Sequence, residues 1–206
     1  LNALTLGELK DAVAALRGAK DLRGVLLTSG KEVFIVGADV TEFVRYFEKT
    51  EAELTAWLLE IDTILSAFEE VISYAEKRTR EAISDLPDGE HSAEDCMEGD
   101  GITDEDITIR ATVTVDGDSM RIDFSGTADA ASGNINCPLP VTRSASYFAL
   151  RVLLPEDILA NAGTYAPLTI EAPRGSLVNA SYPSAVVAGN VETSNRIADT
   201  VLAALA

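Results

Sequence analysis

The sequence predicts an α+β fold, and three stretches predict it. From Glu51 to Ser84, apolar or small residues recur at Leu54, Leu58, Ile61, Leu65, Phe68, Ile72, Ala75 and Thr79, the alternating four-three spacing of one helix face. From Ile107 to Phe124, apolar and polar residues alternate on both sides of Asp116-Gly117-Asp118-Ser119, the pattern of a β-hairpin. After Pro140 the helical period returns from Val141 to Leu154.

In chain order, Thr5 and Glu8 form a capping-box pattern ahead of Leu6, Leu9, Val13 and Leu16, which share a helix face. Gly24-Val25-Leu26-Leu27-Thr28 is a short apolar run suited to a buried strand. Phe34 to Phe43 predicts a strand, a loop and a helix, with Asp39 as cap and Glu42 three residues on. Gly37 lets the backbone turn its amides outward, and such amides bind an anion or a developing oxyanion. Thr50 with Glu53 caps the long helix, and Leu86-Pro87-Asp88-Gly89 stops it. Such a helix runs roughly 50 Å. That length suits two helices spliced in phase better than one element of a small domain.

Its last turns carry Lys77, Arg78 and Arg80, where the helix dipole favours cations. Between Arg80 and Arg110 every charged residue is acidic, a solvated edge whose Asp100 to Asp104 segment lacks the spacing of an EF-hand. Ile107, Ile109, Ala111, Val113, Val115, Met120, Ile122 and Phe124 are the inward positions of the hairpin. Beyond it lie a loop through Gly133 and Asn136-Cys137-Pro138-Leu139-Pro140, the helix, a loop at Asn161-Ala162-Gly163, a strand at Leu168 to Glu171, and a terminal helix after Ala188.

Composition excludes several functions. A net charge of −18 opposes binding to nucleic acid or anionic membrane through a general basic surface. No apolar run approaches the length of a membrane span, and no secretory signal opens the sequence, so a cytoplasmic location is expected. Cys96 and Cys137 read as free thiols, and with His91 as the single histidine a His-rich metal site or Ser-His-Asp triad has little support. The chain starts at Leu1 near a helix start and stops in the apolar run Val201 to Ala206, so both ends read as cut.

Leu1-Asn2-Ala3-Leu4, Gly24-Val25-Leu26-Leu27, F-I-V-G-A-D-V-T-E-F and the Leu54 to Phe68 helix resemble an early part of the crotonase (enoyl-CoA hydratase) fold. The likeness extends to the N-terminal domain of the bacterial fatty-acid oxidation alpha subunit. The resemblance implies a coenzyme A thioester ligand, with Gly37, Ala38 and Asp39 as cofactor-binding residues and the Ala38 amide as half of an oxyanion hole. The family's second amide and its catalytic glutamates would follow Glu70, where the sequence becomes something else. One donor without an acid/base cannot carry hydration chemistry.

From Val71 onward, Y-A-E-K-R-T-R, D-F-S-G-T, N-C-P-L-P-V-T-R-S-A, N-A-G-T-Y and A-G-N-V-E-T-S occur in order. Together they resemble the B component of the hydantoinase/oxoprolinase family. The resemblance implies ATP-dependent hydrolysis of a cyclic amide such as hydantoin or 5-oxoproline, an A-type partner subunit or domain, and a divalent metal in the intact assembly. In carboxylase relatives the metal ligands lie upstream of the portion present here, so no metal ligand is assigned. Asn136, Cys137, Asn190, Glu192 and Thr193 are the candidate catalytic residues. Cys137 reads either as a nucleophile, which needs a base, or as a buried structural thiol. Glu192 reads as a first-turn carboxylate or as a general base.

The expected architecture is a crotonase-like helix-strand-helix fragment over residues 1–70, joined through the long helix to a hairpin-containing α+β fragment over 71–206. The leading functional expectation is a partial hydantoinase/oxoprolinase B component, inactive alone. The alternatives are a truncated enoyl-CoA hydratase module and a non-functional chimera.

Overall fold

In a computed structural model, which describes residues 3–19 and 49–206, the long helix begins where its capping residues place it. The Thr50 amide and hydroxyl both donate to Glu53 Oε2, at 2.8 and 2.7 Å, and the Glu53 amide donates back to Thr50 Oγ1 at 3.4 Å. These bonds hold the Glu53 carboxyl below its ordinary range. The strand expected at Gly24 to Thr28 and the segment carrying Gly37, Ala38 and Asp39 lie outside the described residues.

The chain divides into two units, Leu1–Tyr74 and Ala75–Ala206. The first holds α1 (Ala3–Gly18) and most of α2 (Glu51–Ser84). Helix α1 is already running at Ala3, so Thr5 lies inside its first turn and is not the expected cap. Helix α2 passes Glu70 and Val71 without interruption. Its apolar face is only partly covered: Leu58 and Ile72 are exposed, whereas Ala75, Thr79 and Ile83 are buried. Periodicity defines a face, but a neighbour has to bury it. The cations near its end also differ from expectation. Arg78 and Arg80 stand more than a turn before Ser84 and act through ion pairs, Arg78 with Asp157 at 3.0 Å and Arg80 with Glu76 at 2.7 Å and Asp118 at 3.1 Å.

The second unit is built on a four-stranded sheet in the order β1-β2-β3-β4: β1 (Gly89–Glu98), β2 (Asp106–Asp116), β3 (Ser119–Asp123) and β4 (Leu168–Glu171). Strand β1 was not anticipated, for the acidic stretch was read only as a solvated edge. It pairs antiparallel with β2 from Gly89↔Val115 to Glu98↔Asp106. As an edge strand it carries charges outward and buries little beyond Met97. The β2-β3 hairpin turns at Gly117, whose φ of 57° suits glycine, and the Gly117 amide donates to Asp88 Oδ1 at 2.8 Å. Ile109, Ala111, Val113, Met120, Ile122 and Phe124 point into the core, so the alternation is realised residue by residue.

Strand β4 lies parallel to β3, with Met120 opposite Leu168. The connection between them runs through α3 (Leu139–Leu153) and the short α4 (Ala162–Tyr165), where a loop was expected. Helix α3 starts two residues earlier than its period suggested. Pro138 is its N-cap and Pro140 falls in the first turn, where a missing N–H costs nothing. The terminal helix α5 (Glu192–Ala204) follows a 3₁₀ turn (Ala188–Asn190) and packs against α3, β1 and β2. Leu150, Ile197 and Val201 meet the inner face of the sheet in one core.

Candidate functional site

Two sequence motifs, N-C-P-L-P at 136–140 and A-G-N-V-E-T-S at 188–194, are joined residue by residue. The Asn134 carbonyl accepts from the Ala188 amide at 2.9 Å, and the Ile135 carbonyl accepts from the Thr193 hydroxyl. The Asn136 carbonyl lies so close to Gly189 that a Cβ there would sit 2.0 Å from the oxygen. The Cys137 thiol lies 3.0 Å from the Gly189 carbonyl as its donor. Only glycine permits this approach at 189.

Asn136 is fully buried and its carboxamide is fully used. Its Nδ2 donates to the carbonyls of Ala131 and Gly133 at 3.0 Å and of Ala185 at 2.9 Å, while Oδ1 accepts from the Ala131 amide at 2.7 Å. The pair of bonds to Ala131 reproduces a strand pairing with a side chain in place of a second strand. Cys137 is buried too, and burial pushes its thiol up to about 12, away from a nucleophilic thiolate at neutral pH. Its backbone bonds Leu177 and Ala180, at 2.7 and 3.0 Å. Thr193 is buried beneath the first turn of α5.

Asn190 and Glu192 are placed differently, for both are exposed. Asn190 ends the 3₁₀ turn and its carbonyl accepts from the Ser194 hydroxyl at 2.9 Å. Glu192 opens α5, where the helix dipole favours a carboxylate. Exposed Tyr182, Val187 and Val191 flank these residues in sequence. The five candidate residues therefore separate into a buried set that joins two segments and an exposed pair free to meet a ligand. A carboxamide offers both donor and acceptor to an amide, and a carboxylate offers an acceptor or a base.

One organising residue was not among the candidates. Asp100 is buried, its Oδ1 accepting from the amides of Ile102 and Thr103 at 2.8 Å and its Oδ2 from the Gly133 amide at 2.7 Å. The bonds from Thr103, Ile102 and Gly133 hold this carboxyl below its ordinary value. The Asp-Gly-Ile-Thr order signals the local turn, but nothing in it points to Gly133. Among the described residues no group of three or more His, Cys, Asp or Glu could hold a metal ion. No helix among them is long and apolar enough to cross a membrane.

Comparison with known proteins finds two likenesses. A 70-residue segment is 54% identical to the alpha chain of the fatty acid oxidation complex of Pseudomonas putida (strain F1), covering 34% of this chain and 10% of that protein. The B component of a D-/L-hydantoinase from Pseudomonas sp. (strain NS671) is 37% identical over 157 residues, 71% of this chain and 26% of that protein. The ATP-dependent caprolactamase from Pseudomonas jessenii superposes with a TM-score of 0.64 at 25% identity, over 75% of this chain and 27% of its own. The chain thus spans about a quarter of the hydantoinase relative and of the caprolactamase, and a tenth of the fatty-acid oxidation protein. The family profile for hydantoinase B/oxoprolinase matches residues 36–206, and the chain belongs to that family.

Proposed function

We propose that the chain is part of the B-type component of an ATP-dependent hydrolase that opens cyclic amides such as hydantoin or 5-oxoproline. Family membership over residues 36–206 carries the reading, and the caprolactamase, an ATP-dependent enzyme, supports it. Asn190 and Glu192 are the residues of this chain that meet the substrate, Asn190 as a hydrogen-bonding partner of the ring amide and Glu192 as acceptor or base. Asn136, Cys137 and Thr193 hold that pair in place from beneath. The described residues do not fit a metal, and the sequence contains no phosphate-cradling G-x-x-x-x-G-K-[ST] loop. On this reading the A-type partner handles ATP, the divalent metal is a property of the intact assembly, and the chain alone is silent.

The test supplies an A-type partner and the B-type length that this chain does not span, then follows ATP-dependent ring opening of hydantoin and 5-oxoproline. Turnover should appear only in the assembly and fall at least tenfold with Asn190→Ala or Glu192→Gln. Turnover by the isolated chain without ATP refutes the reading, and turnover indifferent to both substitutions removes the two residues from the site.

A second reading applies to the N-terminal part of the chain, on the strength of the 70-residue likeness to the fatty acid oxidation protein. On that reading Gly37, Ala38 and Asp39 form a remnant of a coenzyme A site without hydration activity. Isothermal titration with an acyl-coenzyme A tests it. Binding abolished by Asp39→Pro supports the remnant, and enoyl-coenzyme A hydration shows the segment to be a working enzyme.

A further inference from the structure

Asp100 lies far in sequence from both joined motifs, yet its carboxylate reaches the loop that carries one of them. The Gly133 amide donates to Oδ2 at 2.7 Å. At the same residue the backbones touch, since a Cβ on Gly133 would fall 1.9 Å from the Asp100 carbonyl oxygen. The Gly133 carbonyl in turn accepts from Asn136 Nδ2 at 3.0 Å, and that nitrogen also donates to Ala185 at 2.9 Å. From there Ala188 bonds Asn134 at 2.9 Å and Gly189 rests on the Asn136 carbonyl. One continuous series of hydrogen bonds and backbone contacts therefore runs from the 99–103 turn, through loop 131–137, to the segment that ends in Asn190 and Glu192.

We propose that Asp100 is a positioning residue for Asn190 and Glu192, acting through Gly133 and Asn136. The proposal rests on the functional reading above for the importance of that pair, while the coupling itself stands on geometry. The chemistry requires a carboxylate at position 100. Both of its oxygens accept from backbone amides, one from Ile102 and Thr103, the other from Gly133. An asparagine has one acceptor oxygen and an NH₂ group, so it can serve the local turn or Gly133 but faces the other with a donor. The Asp100→Asn change is therefore nearly isosteric and specifically disruptive.

Amide hydrogen exchange on the full chain reads the coupling. Asp100→Asn should speed exchange at least tenfold at Gly133 and at Ala188, while amides of the β2-β3 hairpin keep their wild-type rates. Faster exchange at Gly133 with Ala188 unchanged overturns the proposal. If the variant does not fold, the unaltered chain in low urea decides the matter. Gly133 and Ala188 belong to one opening unit and should share one urea dependence, and two separate dependences overturn the proposal. In the reconstituted assembly, Asp100→Asn should lower kcat at least fivefold with the KM for ATP unchanged, and an unchanged kcat overturns the positioning role. If Ala188 responds as predicted but turnover ignores Asn190→Ala and Glu192→Gln, the functional reading fails and the coupling stands.

Discussion

Replacing Asn136 by alanine tests whether the loop system is held by one side chain. The carboxamide has two N–H donors shared among the carbonyls of Ala131, Gly133 and Ala185, and an oxygen that accepts from the Ala131 amide. Three full hydrogen bonds at about 1 kcal/mol net each give about 3 kcal/mol, and the stranded Ala131 amide adds about 1–2 kcal/mol of uncompensated desolvation. The expected loss is about 4–5 kcal/mol. For a body of this size that corresponds to a Tm lower by roughly 10–20 °C, measured by circular dichroism or by urea titration. Asn136→Asp should be at least as damaging although it keeps the shape, because its second oxygen would face three carbonyls at Nδ2's position. A loss below about 1 kcal/mol for alanine, or an aspartate variant as stable as wild type, would refute this account. Asn136 would then be free to contact substrate instead.

Four further outcomes are expected. One thiol, Cys96, should react with a disulfide reagent at pH 8 in the native chain, and Cys137 only on unfolding, because burial holds it near 12; two fast thiols would show that the 137–189 contact opens readily. Thr79→Val should raise stability by about 1 kcal/mol, since the Thr79 hydroxyl is buried without a hydrogen-bond partner, and a destabilised valine variant would place a bonded water there. Ile72→Pro should cost about 3 kcal/mol or more and lower the helical signal at 222 nm, because α2 runs unbroken through that position. Acid should weaken the second unit. Asp100, Asp123 and Glu171 have folded-state values below the ordinary 3.8, 3.8 and 4.5, so their stabilisation is complete above those values and disappears as pH falls below them. A denaturation midpoint that stays level from pH 5 to pH 2.5 would contradict this.

Local pattern was legible in the sequence wherever neighbours along the chain carried it. Thr50 and Glu53 sit one helical turn apart, and their reciprocal bonds follow from that spacing. The alternation from Ile109 to Phe124 decided the inner face of β2 and β3, because side chains on a strand alternate whatever the partner. Motif order likewise pointed to the family before any coordinates. Strand β1 was not legible, since an edge strand needs few buried side chains and its charges mask the pattern; pairing with β2 makes it a strand. Leu58 and Ile72 show the converse, apolar residues in helical phase that stay exposed. At the site, Asn136, Cys137, Thr193, Asn190 and Glu192 could be named together from sequence, but their separation into buried and exposed sets could not. That separation depends on the approach of residues 134–137 to 188–193, contacts across more than fifty positions that only the folded chain creates. The role of Asp100, read as part of a solvated edge, was hidden for the same physical reason: a carboxylate shows its charge in the sequence, and only the tertiary structure decides which distant amide it holds.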